Sequence, residues 1–211
     1  MHVPDGFLSP QITIPAWGVA APLWAWAARR HHAGRGPAEA LPVMGSLTAL
    51  ALVVQTLAIP VPGGTSAHLS GVTLLALLYH PLLAFACESL VLLVQALILG
   101  TGGITVLGVN ALALGLCGPA AGWLAFLALR RRHERAAAFA AAWIATQVSA
   151  LAVAGVLGLQ HALSERYFPV PFPVTLAATM VPSLLITGPL EGAYTLFTLS
   201  LLGKARLHEL A

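Results

Sequence analysis

The amino-acid sequence predicts an all-α membrane protein, a bundle of seven transmembrane helices with its N-terminus outside and its C-terminus inside. Of its 211 residues, 58% are hydrophobic and only 8% are charged, whereas a soluble domain carries about 25% charged residues. The mean hydropathy is +0.87. Basic residues stand in short clusters between long apolar runs, which is typical of loops at a membrane surface rather than of a nucleic-acid-binding protein.

Seven apolar runs account for the predicted spans, because a helix needs roughly 20 residues to cross the hydrocarbon core. The first run ends at the basic stretch RRHHAGRG, the second at PVPGG and the fifth at RRRHER, and a proline-rich stretch, LQHALSERYFPVPFPV, precedes the last. The predicted spans are 10–28, 41–60, 69–79, 82–99, 104–129, 136–159 and 176–202. We expect one integral-membrane domain, 1–211, made of an N-terminal segment 1–9 and a helix bundle 10–203.

The stretch 69–99 decides the orientation, because it can form one long span or two short ones. Two spans with a turn at His80-Pro81 place nine of the ten Lys and Arg residues inside and only Arg166 outside. A single span leaves four inside and six outside. Cytoplasmic loops carry the excess of basic residues, so the two-span arrangement is favoured. The opening MHVPDG and the loop PVPGGTSAHLSG are then both external.

The chain begins MHVPDGFLSP, and its first two residues can chelate a metal. The α-amino group of Met1 has a pKa of about 7.7–8.0, so a metal displaces its proton easily. The amine of Met1, the backbone nitrogen of His2 and Nδ1 of the His2 ring close two chelate rings in one plane. Planar nitrogen ligation suits Ni(II) or Cu(II), whereas Zn(II) prefers a tetrahedron.

The residues that follow favour a terminus that folds back into the bundle. Pro4 restricts Val3 to an extended conformation, and Asp5-Gly6 is a strong turn signal, so we expect residues 1–9 to form a hook. His68, in GGTSAHLSG, lies on the same predicted side of the membrane and can supply a fourth nitrogen. Alternatively, either histidine is an ordinary terminal or loop residue.

Three stretches carry a resemblance to a known family: MHVPDGFLSP, VPGGTSAHLSG and VLLVQALILGTGGITVLGVNALALGLCGP. Over most of the first 120 residues the chain resembles the NikM/CbiM family, the nickel/cobalt substrate-binding components of energy-coupling factor (ECF) transporters. The resemblance implies metal ligands at Met1, His2 and His68, and a place in a bacterial or archaeal cell membrane. It also implies three kinds of partner: a transmembrane coupling subunit, cytoplasmic ATPase subunits and a separate small membrane accessory subunit. PDGFLSP and GGTSAHLSG look more like nickel-type members, with a cobalt component feeding cobalamin synthesis as the alternative.

Other polar residues have two interpretations each. Asp5, Ser66 (with the neighbouring Thr65) and Asn110 are expected to hydrogen-bond the hook; alternatively they are turn residues or a helix-interface amide. Glu88 and Glu191 are costly if they face lipid, but neither is predicted to bind metal. We expect Glu88 near the cytoplasmic turn, far from the hook, and Glu191 within a distorted helix.

Motifs of nucleotide hydrolysis and of membrane hydrolases are absent from the sequence: it contains no GxxxxGK[ST], no HExxH and no GxSxG. We therefore predict a transport subunit that is not an enzyme, has no cofactor of its own and receives its energy from separate ATPases. A stand-alone secondary permease is the alternative of another class, but it would need ionisable residues at the membrane midplane, where the predicted spans hold almost none. An intramembrane enzyme would need an open metal position, which a four-nitrogen plane does not leave for a substrate.

Overall fold

The computed structural model describes residues 2–33, 40–56, 59–61 and 65–203, and gives only the backbone of residues 31–33, 40, 59–61 and 65–67. Over these ranges the elements are α1 (Pro10–Ala33), α2 (Ala40–Thr56), β1 (Ile59–Val61), β2 (Thr65–Ala67), α3 (Val72–Tyr79), α4 (Pro81–Val94), α5 (Leu107–Asn110), α6 (Gly118–Leu129), α7 (Glu134–Leu163), α8 (Phe172–Pro182) and α9 (Gly188–Leu202). Three π-helical segments connect or extend these helices: Gln95–Leu99 extends α4, Ala111–Cys117 joins α5 to α6, and Ser183–Thr187 joins α8 to α9.

Seven helical stretches result in the described part of the chain, and the predicted helical fold class is confirmed. Four of them are long and apolar enough to cross a membrane: Pro81–Leu99, Leu107–Leu129, Glu134–Leu163 and Phe172–Leu202. Large apolar side chains cover their outer faces; Ile98 and Leu185, for example, are 75% and 72% exposed. Such a surface is suited to lipid. The sidedness of the two termini stays a prediction.

The third predicted span, 69–79, is wrong in its extent. Only Val72–Tyr79 is helical, and eight residues rise about 12 Å, far less than the roughly 30 Å of a hydrocarbon core. The second span is also shorter than predicted, because α2 ends at Thr56 and residues 59–61 pair with 65–67 as a small antiparallel hairpin. Helix α3 is instead an internal element, buried at every residue from Val72 to Leu78.

The predicted turn at His80-Pro81 is present. His80 has a positive φ of 81°, which ends α3, and its Nδ1 accepts a hydrogen bond from Leu82 N at 3.3 Å. Pro81 then occupies the first position of α4, where its missing N–H is no loss. The two helices therefore meet at a sharp corner and not in one continuous span.

Helix α7 gives the bundle its long axis. Its inner face is built from alanines, among them Ala137, Ala141 and Ala145, and side chains this small let α6 approach closely. The 30 residues of α7 rise about 45 Å. The basic run 130–135 lies at its N-terminal end, and Gln160, near its C-terminal end, accepts a hydrogen bond from Ser9 N at 2.7 Å. The hook and the basic cluster are therefore at opposite ends of the bundle.

Candidate metal site

The hook docks against α5 through a pair of hydrogen bonds. Val3 N donates to Asn110 Oδ1 and Asn110 Nδ2 donates to Val3 O, both at 3.0 Å. Val3 is 1% exposed and Asn110 is 2% exposed. A side-chain amide thus satisfies both main-chain groups of one residue, as a neighbouring strand would. Because Val3 is fixed in this way, His2 points into the bundle.

Asp5 holds the next part of the hook. Its carboxylate accepts hydrogen bonds from Ile104 N at 3.1 Å, from Thr105 N at 3.0 Å and from the Thr105 hydroxyl, and its own N–H donates to Gly102 O at 3.3 Å. A Cβ at Gly103 would lie 2.0 Å from the Asp5 carboxylate carbon, so only glycine fits there. The sequence predicted that Asp5 helps to hold the hook, but it did not predict the two backbone amides as its partners.

The root of the hook is fixed as well. Gln160 on α7 is fully buried and accepts the hydrogen bond from Ser9 N, and Leu8 beside it is 4% exposed. The Phe7 ring lies 5.7 Å from that of Phe168. Residues 3 to 9 are therefore attached to α5, α7 and the loops beside them, which gives a chain terminus a defined position.

The docked hook brings the predicted histidines together. The imidazole rings of His2 and His68 have their centroids 4.7 Å apart and are inclined by 27°. Two imidazoles that bind one metal at right angles, each at about 2.0–2.1 Å, have ring centres about 4.5 Å apart. The observed separation is thus compatible with two neighbouring positions in the coordination sphere of one ion.

Both rings are in the form that binds metal. Burial lowers the pKa of His68 from its ordinary 6.5 to about 3, and burial likewise holds the pKa of His2 well below its ordinary value. Neutral imidazole is the ligating state, so no ring proton has to be displaced at neutral pH. Two protonated rings at this distance would repel each other.

The structure describes only some of the remaining predicted site residues. Met1 lies outside the described residues, and so do the side chains of Thr65 and Ser66. Within the described ranges no three His, Cys, Asp or Glu side chains lie close enough to hold a metal ion together. An ion at the histidine pair therefore needs donors of another kind, and the backbone nitrogen of His2 is tied covalently to one of the two rings.

A buried polar network lies beneath the pair and was missed by the sequence analysis. Gln55 Nε2 donates to Ser70 O at 2.9 Å and to Glu88 Oε2 at 2.9 Å, while Gln55 Oε1 accepts from Gln95 Nε2 at 3.0 Å. The Gln55 side chain also interacts with the His2 ring. The expectation that Glu88 lies far from the hook is wrong. Glu88 and Gln95 are seven residues apart, two helical turns, and this shared face is the signal by which the sequence could have revealed them.

A cavity of about 860 Å³ adjoins the two histidines. Its wall includes His2, His68, Gln55 and Gln95, and the Gly100–Gly102 backbone borders it on the hook side. The volume far exceeds that of a bare ion, so a hydrated ion has room to approach the rings and shed its water.

Fold and candidate site together define a class of protein, a multi-helix membrane protein with a histidine pair at one end of its bundle. The chain belongs to the CbiM family, whose model, described as "Cobalt uptake substrate-specific transmembrane region", matches residues 2–209. It is 35% identical to the "Probable fused nickel transport protein LarMN" of Lactiplantibacillus plantarum over 93% of this chain, and 33% identical to the "Cobalt transport protein CbiM" of Geobacter sulfurreducens over its full length. It spans 62% of the length of each relative.

A crystal structure titled as a truncated transition metal transporter superposes with a TM-score of 0.90 at 29% identity, covering 98% of this chain and 100% of the other. The predicted family is confirmed.

Replacing Asn110 with leucine is expected to release the hook. The variant leaves the buried N–H and C=O of Val3 without partners, at a cost of about 1–3 kcal/mol per group. Hydrogen exchange of the Val3 amide, followed in the metal-free protein, should therefore accelerate about tenfold or more. Asn110→Asp keeps an acceptor for Val3 N and should give an intermediate rate. Equal rates in all three proteins would contradict the docking role of Asn110.

Proposed function

We propose that this chain is the substrate-binding membrane subunit of an ATP-driven importer of the energy-coupling factor type, and that its substrate is Ni(II). The proposed ligands are the amine of Met1, the backbone nitrogen and Nδ1 of His2, and one ring nitrogen of His68. The observation that carries the proposal is the 4.7 Å approach of two partly buried imidazoles from segments 66 positions apart in the chain.

The chemistry of the donors accounts for the choice of metal. Amine, amide and imidazole from consecutive residues span three corners of a square, and a ring from elsewhere completes it. Ni(II) accepts such a tetragonal nitrogen set, whereas Zn(II) gains little from coplanar donors. Only the amine and the amide have protons to lose, because the low pKa values of His2 and His68 leave both rings neutral.

The position of the site fits capture on the external side. The hook lies at the end of the bundle opposite the basic run 130–135, and basic loops favour the cytoplasm. An orientation with the N-terminus outside and the C-terminus inside therefore exposes the site to incoming ion. Release to the cytoplasm would be driven by a transmembrane coupling subunit and ATPase subunits, so the proposed role of this chain is binding and not catalysis.

Co(II) is the second candidate substrate. The description of the family model and the name of the Geobacter relative both favour cobalt. The two ions can be distinguished by the absorption spectrum and by the affinity of the purified protein. We expect a one-to-one, yellow, diamagnetic complex with Ni(II). Tighter binding of Co(II) than of Ni(II) would reverse the assignment.

Blocking the terminal amine should abolish nickel binding. Lys204 is the only lysine of the sequence, so in Lys204→Arg protein an amine-directed acetylating reagent modifies only the terminus. The acetylated amine loses its lone pair, and calorimetry should detect no high-affinity Ni(II) site, while helicity and elution volume stay unchanged. Unmodified Lys204→Arg protein is the control. Retained affinity after complete acetylation would refute a site that includes the amine of Met1.

His68→Ala should remove one nitrogen from the plane and leave the three donors of residues 1 and 2. We expect nickel affinity to fall at least about tenfold and the visible absorption band of the complex to move to longer wavelength, because a water oxygen is a weaker ligand than imidazole. His133→Ala is the matched control, since His133 is exposed and lies in the basic run 130–135, at the end of the bundle opposite the hook. An identical band in wild type and His68→Ala would exclude His68 as a ligand.

Orientation can be tested on cells with single cysteines. In a background with Cys87 and Cys117 replaced by alanine, Glu165→Cys lies at the hook end and Arg132→Cys at the opposite end; the Glu165 side chain is 77% exposed. A membrane-impermeant maleimide should label the first variant on intact cells and the second only after permeabilisation. The reverse pattern would place the site in the cytoplasm.

A further inference from the structure

The segment that carries His68 is held by a carboxylate from the far end of the chain. Glu191 Oε1 accepts hydrogen bonds from the Ser70 hydroxyl at 2.8 Å and from Gly71 N at 2.7 Å, and Glu191 Oε2 accepts from Ser70 N at 2.8 Å. Glu191 stands on α9 and is 2% exposed. All three bonds go to two residues that immediately precede α3.

These donors lie at the N-terminal end of α3, whose N-cap residue is Gly71. The first N–H groups of a helix have no partner within it, and a negative charge near them is favourable. Local capping residues normally fill this role, but no side chain caps α3 locally. A residue about 120 positions away supplies the acceptor instead, which ties α3 and the His68 segment to α9.

The surroundings leave the segment little freedom. Gly71 has a φ of +69°, and a Cβ placed there would lie 3.4 Å from Ala51 and from Tyr194. Gln55 Nε2 holds the carbonyl of Ser70 at 2.9 Å from the opposite side. Only Leu69 separates this clamped dipeptide from His68, so the position of the His68 backbone follows from the clamp.

A carboxylate inside a membrane bundle is expensive to bury, and such residues usually have a specific role. Both carboxylate oxygens of Glu191 accept hydrogen bonds from Ser70 and Gly71, so Glu191 is not placed as a ligand. It lines a cavity together with His68, Ser70 and Glu88. Its hydrogen bonds fix the segment next to one of the two rings.

We propose that Glu191 is a positioning residue for the metal site, which holds the 68–71 segment so that the His68 ring occupies the fourth corner of the plane. This inference rests on the proposed function, in that His68 is taken as a ligand. It adds a residue on α9 to a site otherwise formed by the hook and the segment before α3, and it assigns a role to the buried carboxyl group of that helix.

The test is a double-mutant cycle between Glu191 and His68. Glu191→Gln keeps the size of the side chain but turns an NH2 group towards N–H donors. Nickel affinity, measured by calorimetry on the purified protein, should fall about 10- to 100-fold, as is typical when the support of a ligand is lost. In a His68→Ala background the same substitution should change affinity less than about twofold, because the ring it positions is gone. The absorption band of the Glu191→Gln complex should approach that of His68→Ala.

Several outcomes separate the possibilities. An equal loss in both backgrounds would mean that Glu191 only stabilises the fold, and no loss in either would mean that it does not position His68; each overturns the inference. If His68→Ala itself leaves affinity unchanged, the proposed function fails first. Glu134→Gln, the same substitution at an exposed residue at the opposite end of the bundle, is the control and should bind nickel normally.

If Glu191→Gln does not fold, Ser70→Ala replaces it in the cycle. It removes one of the three bonds and should lower affinity about fivefold where His68 is present, and not in the His68→Ala background, at roughly 1 kcal/mol for one hydrogen bond.

Discussion

The pair of hydrogen bonds between Asn110 and the main chain of Val3 is the contact on which the site depends. Chain ends ordinarily fray, because ordering each backbone residue costs about 1–2 kcal/mol. Here the first described residues are fixed by an amide that matches both main-chain groups of one residue, and Asp5 and Gln160 secure the hook beyond it. Without that match His2 would be a mobile residue, and its approach to His68 would not persist.

The polar side chains buried inside the bundle all form hydrogen bonds between separate parts of the chain. Gln55, Gln95, Glu88 and Glu191 are all nearly inaccessible, and each bonds a residue of another helix or the segment before α3. In a membrane, polar groups placed at random would be penalised, whereas groups that satisfy one another hold helices in register. These side chains are concentrated at the hook end. The relative positions of the helices are therefore fixed there by hydrogen bonds, in a bundle that is otherwise rich in alanine and leucine.

Features that depend on residues close together in the sequence could be predicted. Apolar runs predicted the helices, the His80-Pro81 pair predicted the corner between α3 and α4, and Pro4 with Asp5-Gly6 predicted the hook. The partner of Glu191 could not be predicted, because it depends on how deep and in which rotation α9 packs beside residues 70 and 71. Hydrophobic periodicity fixes a helix and its inner face, but it does not say which residues of two inner faces meet. Glu88 was misplaced for the same reason.

The division of the ligands between two segments has a physical consequence for affinity. The donors of residues 1 and 2 are linked covalently, so they stay together whatever the bundle does. His68 is a separate group whose effective concentration at the ion depends on two anchors, one at Val3 and one at Ser70-Gly71. With the proposed ligands, tight binding requires both anchors at once, because loosening either one leaves a three-nitrogen chelate that holds its ion less strongly.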